Sequence, residues 1–193
     1  MIGIFGGTFD PVHNAHLRVA EHLLHAMQLS EIRFVPCNIP VHRDQPGASP
    51  AERVTMLQLA TKHEKRFVVD DCEIQRQGRS YMIETLEHFH QTLSEPLSLI
   101  MGYDAWNHFD HWHRWEDILT LANIIILNRP GHEIILTRPL QTFKDRIHII
   151  EETYFDISAT RIREALAQHH ATELQQLLPR PVLTYIQEKD LYQ

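Results

Sequence analysis

Two glycines and two histidines stand close together near the start of the chain, in the segment GGTFDPVHNAHL, Gly6 to Leu17. The glycines follow the apolar run of residues 2–5, at the point where a strand would end. Glycine has no Cβ, so backbone N–H groups there can approach an anion closely. His13 and His16 stand where a helix should begin, and imidazole N–H groups there add to the attraction of the helix dipole for phosphate. The segment therefore predicts a phosphate-binding site.

Thr8 and the pair Asp10-Pro11 complete this arrangement. Thr8 offers both a hydroxyl and a backbone N–H, and Asp10-Pro11 predicts a turn before the helix. Taken singly, His13 or His16 could equally be a structural histidine at a turn. The combination of both histidines with two glycines and a threonine within twelve residues favours the anion site.

A second segment of related chemistry, FDISATRIREAL, covers residues 155–166. A helix is expected to begin between Ser158 and Thr160, which places Arg161 and Arg163 in its first turn. The helix dipole disfavours cations at that end, so a bound anion would account for the two arginines. The alternative is that both point to solvent or pair with nearby carboxylates.

The elements that must position these residues follow from six apolar runs that alternate with stretches of helical period. The runs cover residues 2–5, 32–36, 67–70, 97–101, 123–127 and 147–150. Apolar runs that are each followed by a helix predict an α/β fold, with a mostly parallel sheet covered by helices on both faces. In such a sheet the ligand crevice lies at the carboxyl ends of the strands, where Gly6 and Gly7 stand.

Two helices near the N-terminus carry explicit signals. Apolar residues recur at spacings of three and four over residues 15–27, which predicts a helix with one buried face. Ser49, Pro50 and Glu52 form a capping box with proline at the first helical position. Residues 37–50, which precede this second helix, predict a long loop.

The C-terminal part, from about residue 158, predicts a few short helices packed on a single domain that covers residues 1–193. Pro179 and Pro181 separate the last two of these helices. After the fourth strand, residues 102–118 supply several aromatic side chains, which an amphipathic helix would carry mainly for packing.

Composition limits the classes of partner. The net charge is −7, which gives no general attraction for nucleic acid or an anionic membrane, so a small anionic ligand is the better expectation. Cys37 and Cys72 are the two cysteines, predicted to be packing residues of a reducing compartment. With no secretion signal or 18-residue apolar window, the chain is expected to be soluble and cytoplasmic.

GGTFDPVHNAH resembles the nucleotide-binding signature of the nucleotidyltransferases with the His-x-x-His motif, and its long form is similar to that of bacterial nicotinate-nucleotide adenylyltransferases. The family usually has glycine where this chain has Ala15. The resemblance implies a Rossmann-like sheet, and catalytic roles for His13 and His16. The ATP-binding residues that it implies in this segment are Gly6, Gly7, Thr8 and Phe9.

The segment SATRIR is similar to a second signature of the same family, Ser-[Ser/Ala]-Thr-x-x-Arg. This resemblance implies that Ser158 and Thr160 contact the phosphates of ATP and that Arg163 takes part in catalysis. Arg161 occupies a variable position.

Three further segments match the family less specifically. Gly102 and Asp104 match a Gly-x-Asp step near the ribose of ATP. Thr85 and Trp112 match residues that hold the nicotinate ring, although aromatic residues such as Trp106, Trp112 and Trp115 could equally serve packing. His42 and Arg43, in IPVHR (39–43), match a loop that helps to neutralise phosphate; a solvated loop is the alternative.

The family resemblance implies transfer of AMP from ATP to nicotinate mononucleotide, with deamido-NAD and pyrophosphate as products and Mg²⁺ as the cofactor that arrives with ATP. The partners would be these two nucleotides, and the oligomeric state stays open. His108, His111 and His113 lack the spacing of a protein-held metal site. The alternatives are an enzyme for nicotinamide mononucleotide or phosphopantetheine, and a nucleotide sensor without activity.

Overall fold

Six strands form one parallel sheet in the computed structural model, which describes residues 1–41, 45–128, 131–136, 138–151 and 157–192. The strand order is β3-β2-β1-β4-β5-β6. The strands are β1 (Ile2–Gly7), β2 (Glu31–Pro36), β3 (Phe67–Val69), β4 (Leu97–Gly102), β5 (Ala122–Asn128) and β6 (Ile147–Glu151). Each apolar run that predicted a strand forms one, so the predicted α/β class and parallel sheet are confirmed.

Helices connect the strands and continue beyond the last one. They are α1 (Asn14–Ala26), α2 (Pro50–Thr61), α3 (Cys72–Arg76), α4 (Met82–Thr92), α5 (Tyr103–Trp106), α6 (Trp115–Leu121), α7 (Arg138–Gln141), α8 (Ala159–Ala167), α9 (Ala171–Leu177) and α10 (Arg180–Glu188). Short 3₁₀ turns cover Phe109–His111 and Lys144–Arg146. In the part of the chain that the structure describes, no helix has the length and apolar content needed to span a bilayer.

The helices cover both faces of the sheet, and β1 shows why. Ile2 and Ile4 pack into an apolar core on one face together with side chains of α4 and α6. Phe5 points to the other face and packs with side chains of α1, α2 and α8 to α10. Successive side chains of a strand alternate between faces, so a strand that is apolar at every position must be covered on both.

The C-terminal helices belong to the same core as the sheet. Ile162 of α8, Leu174 of α9 and Val182 of α10 are buried in the cluster that contains Phe5. At the surface, the Asn14 side chain at the start of α1 donates to the backbone carbonyl of Gln176, 2.8 Å away. The predicted small helical part is therefore present and packed, as a single domain over residues 1–193 would require.

The predicted capping box of α2 is confirmed. The backbone N–H of Glu52 donates to the Ser49 hydroxyl at 3.3 Å, and the Glu52 carboxylate accepts from the Ser49 N–H at 2.8 Å. Pro50 is the first helical residue. This cap fixes where the long loop ends and where α2 begins.

The aromatic segment of residues 102–118 does not form one continuous helix. The segment divides into α5, a 3₁₀ turn and α6. Trp112 is extended, with ψ 146°, and Arg114 is left-handed, with φ 54° and ψ 42°. Neither conformation can continue a right-handed helix, so α6 has to begin anew at Trp115.

The central strands β1 and β4 separate before they end. β1 pairs with β2 as far as Gly7, but its pairing with β4 stops where Phe5 faces Ile100. β4 itself continues beside β5 to Gly102. The strand order reverses between β1 and β4, and at such a switch point the diverging carboxyl ends leave a crevice for a ligand. The glycine-rich turn after β1 lies at this crevice.

Gly3 sits where β1 crosses the core, and we expect Gly3→Ala to destabilise the fold by about 1–3 kcal/mol, because an added methyl overpacks the interior. A Cβ there would lie 2.9 Å from the Cδ1 atoms of Ile100 and Leu29. Gly102→Ala is the control for stability, since a Cβ at Gly102 meets nothing within 4 Å. Urea unfolding measures both; equal midpoints would contradict the prediction.

Candidate active site

The glycine-rich turn after β1 is tightly packed, which explains its composition. A Cβ at Gly7 would lie 3.0–3.3 Å from carbon atoms of the Phe9 ring, and one at Gly6 would lie 2.5 Å from the Cε of Met82 at the start of α4. Phe9 is left-handed, with φ 50°, and is buried. The chain therefore turns sharply at the crevice, and α4 begins beside Gly6.

His13 and His16 lie against each other at the first turn of α1. Their rings stack with centroids 3.7 Å apart, and the backbone N–H of His13 donates to Nδ1 of His16 at 3.2 Å. In a neutral imidazole, an accepting Nδ1 leaves the proton on Nε2. The rings of Phe9 and His16 pack in a T-shaped arrangement with centroids 5.1 Å apart, and this contact fixes the plane of the imidazole. His16 is thus oriented as an Nε2–H donor at the positive end of a helix.

His13 is held in the neutral state by burial. Its side chain is only 5% exposed, and desolvation lowers its pKa from 6.5 to about 4. Among the described residues its Nδ1 has no hydrogen-bond partner. A buried nitrogen without a partner is costly, so this atom lowers the stability of the turn.

Asp10 is the centre of a buried polar cluster behind the glycine-rich turn. Its carboxylate is 6% exposed and accepts from the backbone N–H groups of Gly47 at 2.9 Å and Ala48 at 3.0 Å. The hydroxyl of Tyr192 donates to the same carboxylate at 2.7 Å. The Arg163 Nη1 lies 3.8 Å from it. Asp10 thereby connects the turn to the loop before α2 and to the C-terminal segment.

The structure brings α8 to this turn through Arg163. Its Nη1 donates to the backbone carbonyl of Asp10 at 2.8 Å, and its Nη2 lies 3.4 Å from the Thr160 hydroxyl. Ser158 is the N-cap of α8, since its hydroxyl accepts from the Arg161 N–H at 3.2 Å. Arg161 itself pairs with Glu173 of α9 at 2.8 Å. One arginine of the segment is thus directed to the crevice loop and the other to a carboxylate.

Arg53 was missed by sequence reasoning and is the most deeply buried charge near the site. Its side chain is 0% exposed. It donates to four backbone carbonyls: Thr8 at 2.7 Å, Cys37 at 2.7 Å, Asn38 at 3.3 Å and Ala48 at 3.3 Å. These carbonyls belong to the segments after β1, after β2 and before α2. Helical spacing was the sequence signal that could have predicted this burial, because Arg53 lies three and four positions before Met56 and Leu57 on the buried face of α2.

Thr85 lies on α4, as predicted, but its hydroxyl is already used. The side chain is 0% exposed, and the hydroxyl donates to Glu73 at 2.6 Å while it accepts from Arg76 at 3.2 Å. Burial raises the pKa of Glu73 despite the hydrogen bonds from Thr85 and Ser80. The Ser80 hydroxyl in turn accepts from the Asn38 N–H at 2.8 Å. This network fixes the start of α4 against the loop after β2.

The remaining predicted residues take different positions. Gly102 ends β4 at the crevice, and Asp104 is exposed in α5 just after it. Trp112 is half-buried and packs on Phe109 with ring centroids 5.7 Å apart. His42 and Arg43 lie outside the described residues.

The histidine-rich segment after β4 is a surface feature. His108, His111 and His113 are exposed, and the rings of His108 and His111 have centroids 6.3 Å apart. Within the described ranges, no group of three or more His, Cys, Asp or Glu side chains is placed to hold a metal ion. Cys37 and Cys72 are free thiols, and burial raises the pKa of both.

Comparisons with known proteins identify the family of the chain. A sequence model of the cytidylyltransferase-like family matches residues 4–165. The chain is 36% identical to a protein of Cellvibrio japonicus named "Probable nicotinate-nucleotide adenylyltransferase", with 99% of this chain and 98% of that protein covered. It is 38% identical to a protein of the same name from Methylococcus capsulatus, with 100% and 99% covered.

Solved structures of the same shape include nicotinic acid mononucleotide adenylyltransferase from Plasmodium falciparum complexed with NaAD. The TM-score is 0.81 at 18% identity, and the match covers 99% of this chain and 96% of that one. At this level of identity the likeness shows the fold, which is the nucleotidyltransferase form of the Rossmann-like sheet.

Arg53→Lys should destabilise the protein by about 2–4 kcal/mol, because a lysine cannot bridge four carbonyls and leaves buried acceptors unsatisfied. Arg66→Lys is the matched control: Arg66 is 40% exposed, pairs with Glu64, and should tolerate the change with little effect. Denaturant unfolding of both variants measures the difference. A loss that is equally small in both would contradict the role given to Arg53.

Burial of neutral His13 predicts a pH dependence of stability. Between about pH 6.5 and about pH 4, the unfolded chain binds a proton at His13 that the folded chain does not. The free energy of unfolding should therefore fall as the pH falls through this window, by at most about 1.4 kcal/mol per pH unit from this group. His13→Gln should have a smaller slope than the unmodified protein in urea unfolding at several pH values. An unchanged slope would show that His13 titrates normally.

Proposed function

The chain belongs to the cytidylyltransferase-like family, where its full-length relatives carry the name nicotinate-nucleotide adenylyltransferase, and we propose that it transfers AMP from ATP to nicotinate mononucleotide. The products are deamido-NAD and pyrophosphate, a step of NAD biosynthesis. One structural observation carries the assignment to this chain's own residues. The two segments that could bind phosphate meet where Arg163 donates at 2.8 Å to the backbone carbonyl of Asp10, which stands 153 positions earlier in the sequence.

The chemistry needs alignment more than activation. A phosphate oxygen of nicotinate mononucleotide attacks the α-phosphorus of ATP, and the bond from that phosphorus to the pyrophosphate oxygen breaks. The acceptor phosphate is already a nucleophile, so no covalent enzyme intermediate is required. The protein has to hold the two substrates in line and stabilise charge on the α-phosphoryl group and on the leaving pyrophosphate.

We assign the phosphate contacts to the residues at the crevice between β1 and β4. The backbone N–H groups of Gly7 and Thr8 and the Nε2–H of His16 are donors at the positive end of α1. Arg163 supplies a fixed positive charge from α8. His13 acts from behind, because its backbone N–H sets the tautomer of His16 and its ring stacks on that imidazole.

The remaining ATP contacts are assigned by position. Gly102 lies at the end of β4, where its missing side chain leaves open space for the ribose, and Asp104 follows at the surface of α5. Ser158 and Thr160 lie in the first turn of α8 beside Arg163.

Mg²⁺ would neutralise phosphate charge when it arrives with ATP. The donor set fits a metal held chiefly by the substrate: the Asp10 carboxylate is occupied by two N–H groups and the Tyr192 hydroxyl, while Asp104 is an exposed carboxylate at the crevice edge. Mg²⁺ keeps several waters and needs few protein ligands, so the phosphates of ATP would supply most of its remaining ligands.

We place the acceptor nucleotide on the α4 side of the crevice. α4 begins beside Gly6, and its N-cap residue Tyr81 makes no side-chain cap, so the first N–H groups of this helix suit a carboxylate. Trp112 is half-buried and offers a ring for an electron-poor pyridinium. The Thr85 hydroxyl stays bound to Glu73, so Thr85 contributes through the position of α4.

His42 and Arg43 stay predicted contacts of the acceptor phosphate. The cytoplasmic location of the protein stays a prediction as well.

The choice of acceptor is tested by pyrophosphate release from Mg-ATP with nicotinate mononucleotide, nicotinamide mononucleotide or phosphopantetheine. We expect a strong preference in kcat/KM for the nicotinate substrate, because a site of N–H donors accepts a carboxylate while an amide also needs an acceptor. Preference for another acceptor would reject the site on α4 and keep the phosphate chemistry. ATP binding without release from any of the three would identify a nucleotide sensor.

His16→Ala should lower kcat by about 100- to 1,000-fold, because it removes a donor to charge that develops in the transition state. The variant should keep the circular dichroism spectrum of the folded protein. His25→Ala, an exposed position at the end of the same helix, is the matched control and should keep normal turnover. Turnover of His16→Ala close to that of the control would remove His16 from the mechanism.

A further inference from the structure

The C-terminal segment after α10 reaches back to the glycine-rich turn through one side chain. The hydroxyl of Tyr192 donates to Oδ1 of Asp10 at 2.7 Å, across 182 positions of the sequence. The tyrosine ring lies directly on Gly47, where an added Cβ would be 3.0 Å from its Cδ1 and 3.1 Å from its Cε1. Glycine at position 47 is therefore what allows the ring to come close enough for the hydrogen bond.

The residue that accepts this hydrogen bond, Asp10, also contacts Arg163 through its backbone carbonyl and the other carboxylate oxygen. The guanidinium of Arg163 donates to the Asp10 backbone carbonyl at 2.8 Å and lies 3.8 Å from the Asp10 carboxylate. The carboxylate is additionally tied to the N–H groups of Gly47 and Ala48. Loss of the Tyr192 donor would leave Oδ1 with one N–H partner and free the buried carboxylate to turn toward Arg163.

We propose that Tyr192 is a positioning residue for the ATP half of the site, which acts through Asp10 to hold Arg163 and the glycine-rich turn in their working geometry. The proposal rests on the proposed function, since it assigns ATP to this side of the crevice. Tyr192 does not itself touch the reacting atoms.

The effect should be confined to ATP because Tyr192 and the acceptor side lie on opposite faces of the sheet. Tyr192 packs on the core that contains α1, α2 and α8 to α10. Trp112 packs on the other core, which also contains the buried residues of α4. The contact of Tyr192 with Asp10 therefore lies on the face of the sheet opposite to Trp112.

The hydroxyl of Tyr192 remains a donor under all ordinary conditions. Burial, together with the hydrogen bond and the negative charge of Asp10, raises the pKa of the phenol. The phenol thus keeps the proton that it donates to Asp10.

Tyr192→Phe tests the proposal, because it removes the hydroxyl and keeps the ring on Gly47. We expect the KM for ATP and the Kd for a non-hydrolysable ATP analogue, measured by calorimetry, to rise roughly ten-fold, the typical worth of a hydrogen bond to a charged group. The KM for nicotinate mononucleotide should stay within about two-fold, and the Tm should stay within a few degrees. Tyr185→Phe, on α10, removes a hydroxyl from the same region and should change neither constant.

Gly47→Ala perturbs the same contact from the other side, since the added methyl pushes the ring away from Asp10. It should reproduce the selective loss of ATP affinity. Normal ATP constants in Tyr192→Phe would overturn the proposal, and so would an equal weakening of both substrates with a large fall in Tm, which marks a general structural role. Failure of the unmodified chain to bind the ATP analogue would instead reject the proposed function itself, and the positioning role with it.

Discussion

The site depends on one buried cation. Arg53 is fully enclosed, and its guanidinium is satisfied by carbonyls of Thr8, Cys37, Asn38 and Ala48. Removing a charge from water is costly, so this arginine is stable only while the carbonyls converge on it. The turn after β1 and the loop after β2 are consequently held together, and the crevice has its shape before any ligand binds. This is the kind of preorganisation that electrostatic catalysis requires.

Asp10 complements Arg53 at the same turn. Arg53 holds the carbonyl of Thr8, and two residues later the Asp10 carboxylate collects N–H groups of Gly47 and Ala48 and the hydroxyl of Tyr192. Acceptors of the turn therefore meet donors from α2, from the loop before it and from the C-terminal segment. The stacked pair of His13 and His16 follows immediately and begins α1 at the crevice. Segments that are far apart in sequence and share one apolar core are thus also joined by hydrogen bonds at this turn.

Much of the fold could be predicted from sequence because its signals are local. The six strands are continuous apolar runs, and the start of α2 is visible in Ser49 and Glu52. The break between α5 and α6 could not be predicted from the sequence, because the left-handed residue before α6 is an arginine, Arg114, and not a glycine. The burial of Arg53 and the bonds of Asp10 with Tyr192 depend on tertiary contacts, which periodicity does not encode. The same holds for Thr85, where the sequence indicates the helix face but not that Glu73 already uses the hydroxyl.

The most direct test of this account is a crystal structure of the chain with deamido-NAD bound. The account predicts that the dinucleotide lies across the carboxyl ends of β1 and β4, with its phosphates within hydrogen-bond distance of the His16 Nε2 and the N–H groups of Gly7 and Thr8. It also predicts the pyridine ring on the α4 side, near Trp112. Phosphates bound away from this turn, for example on the exposed face of α1, would contradict it.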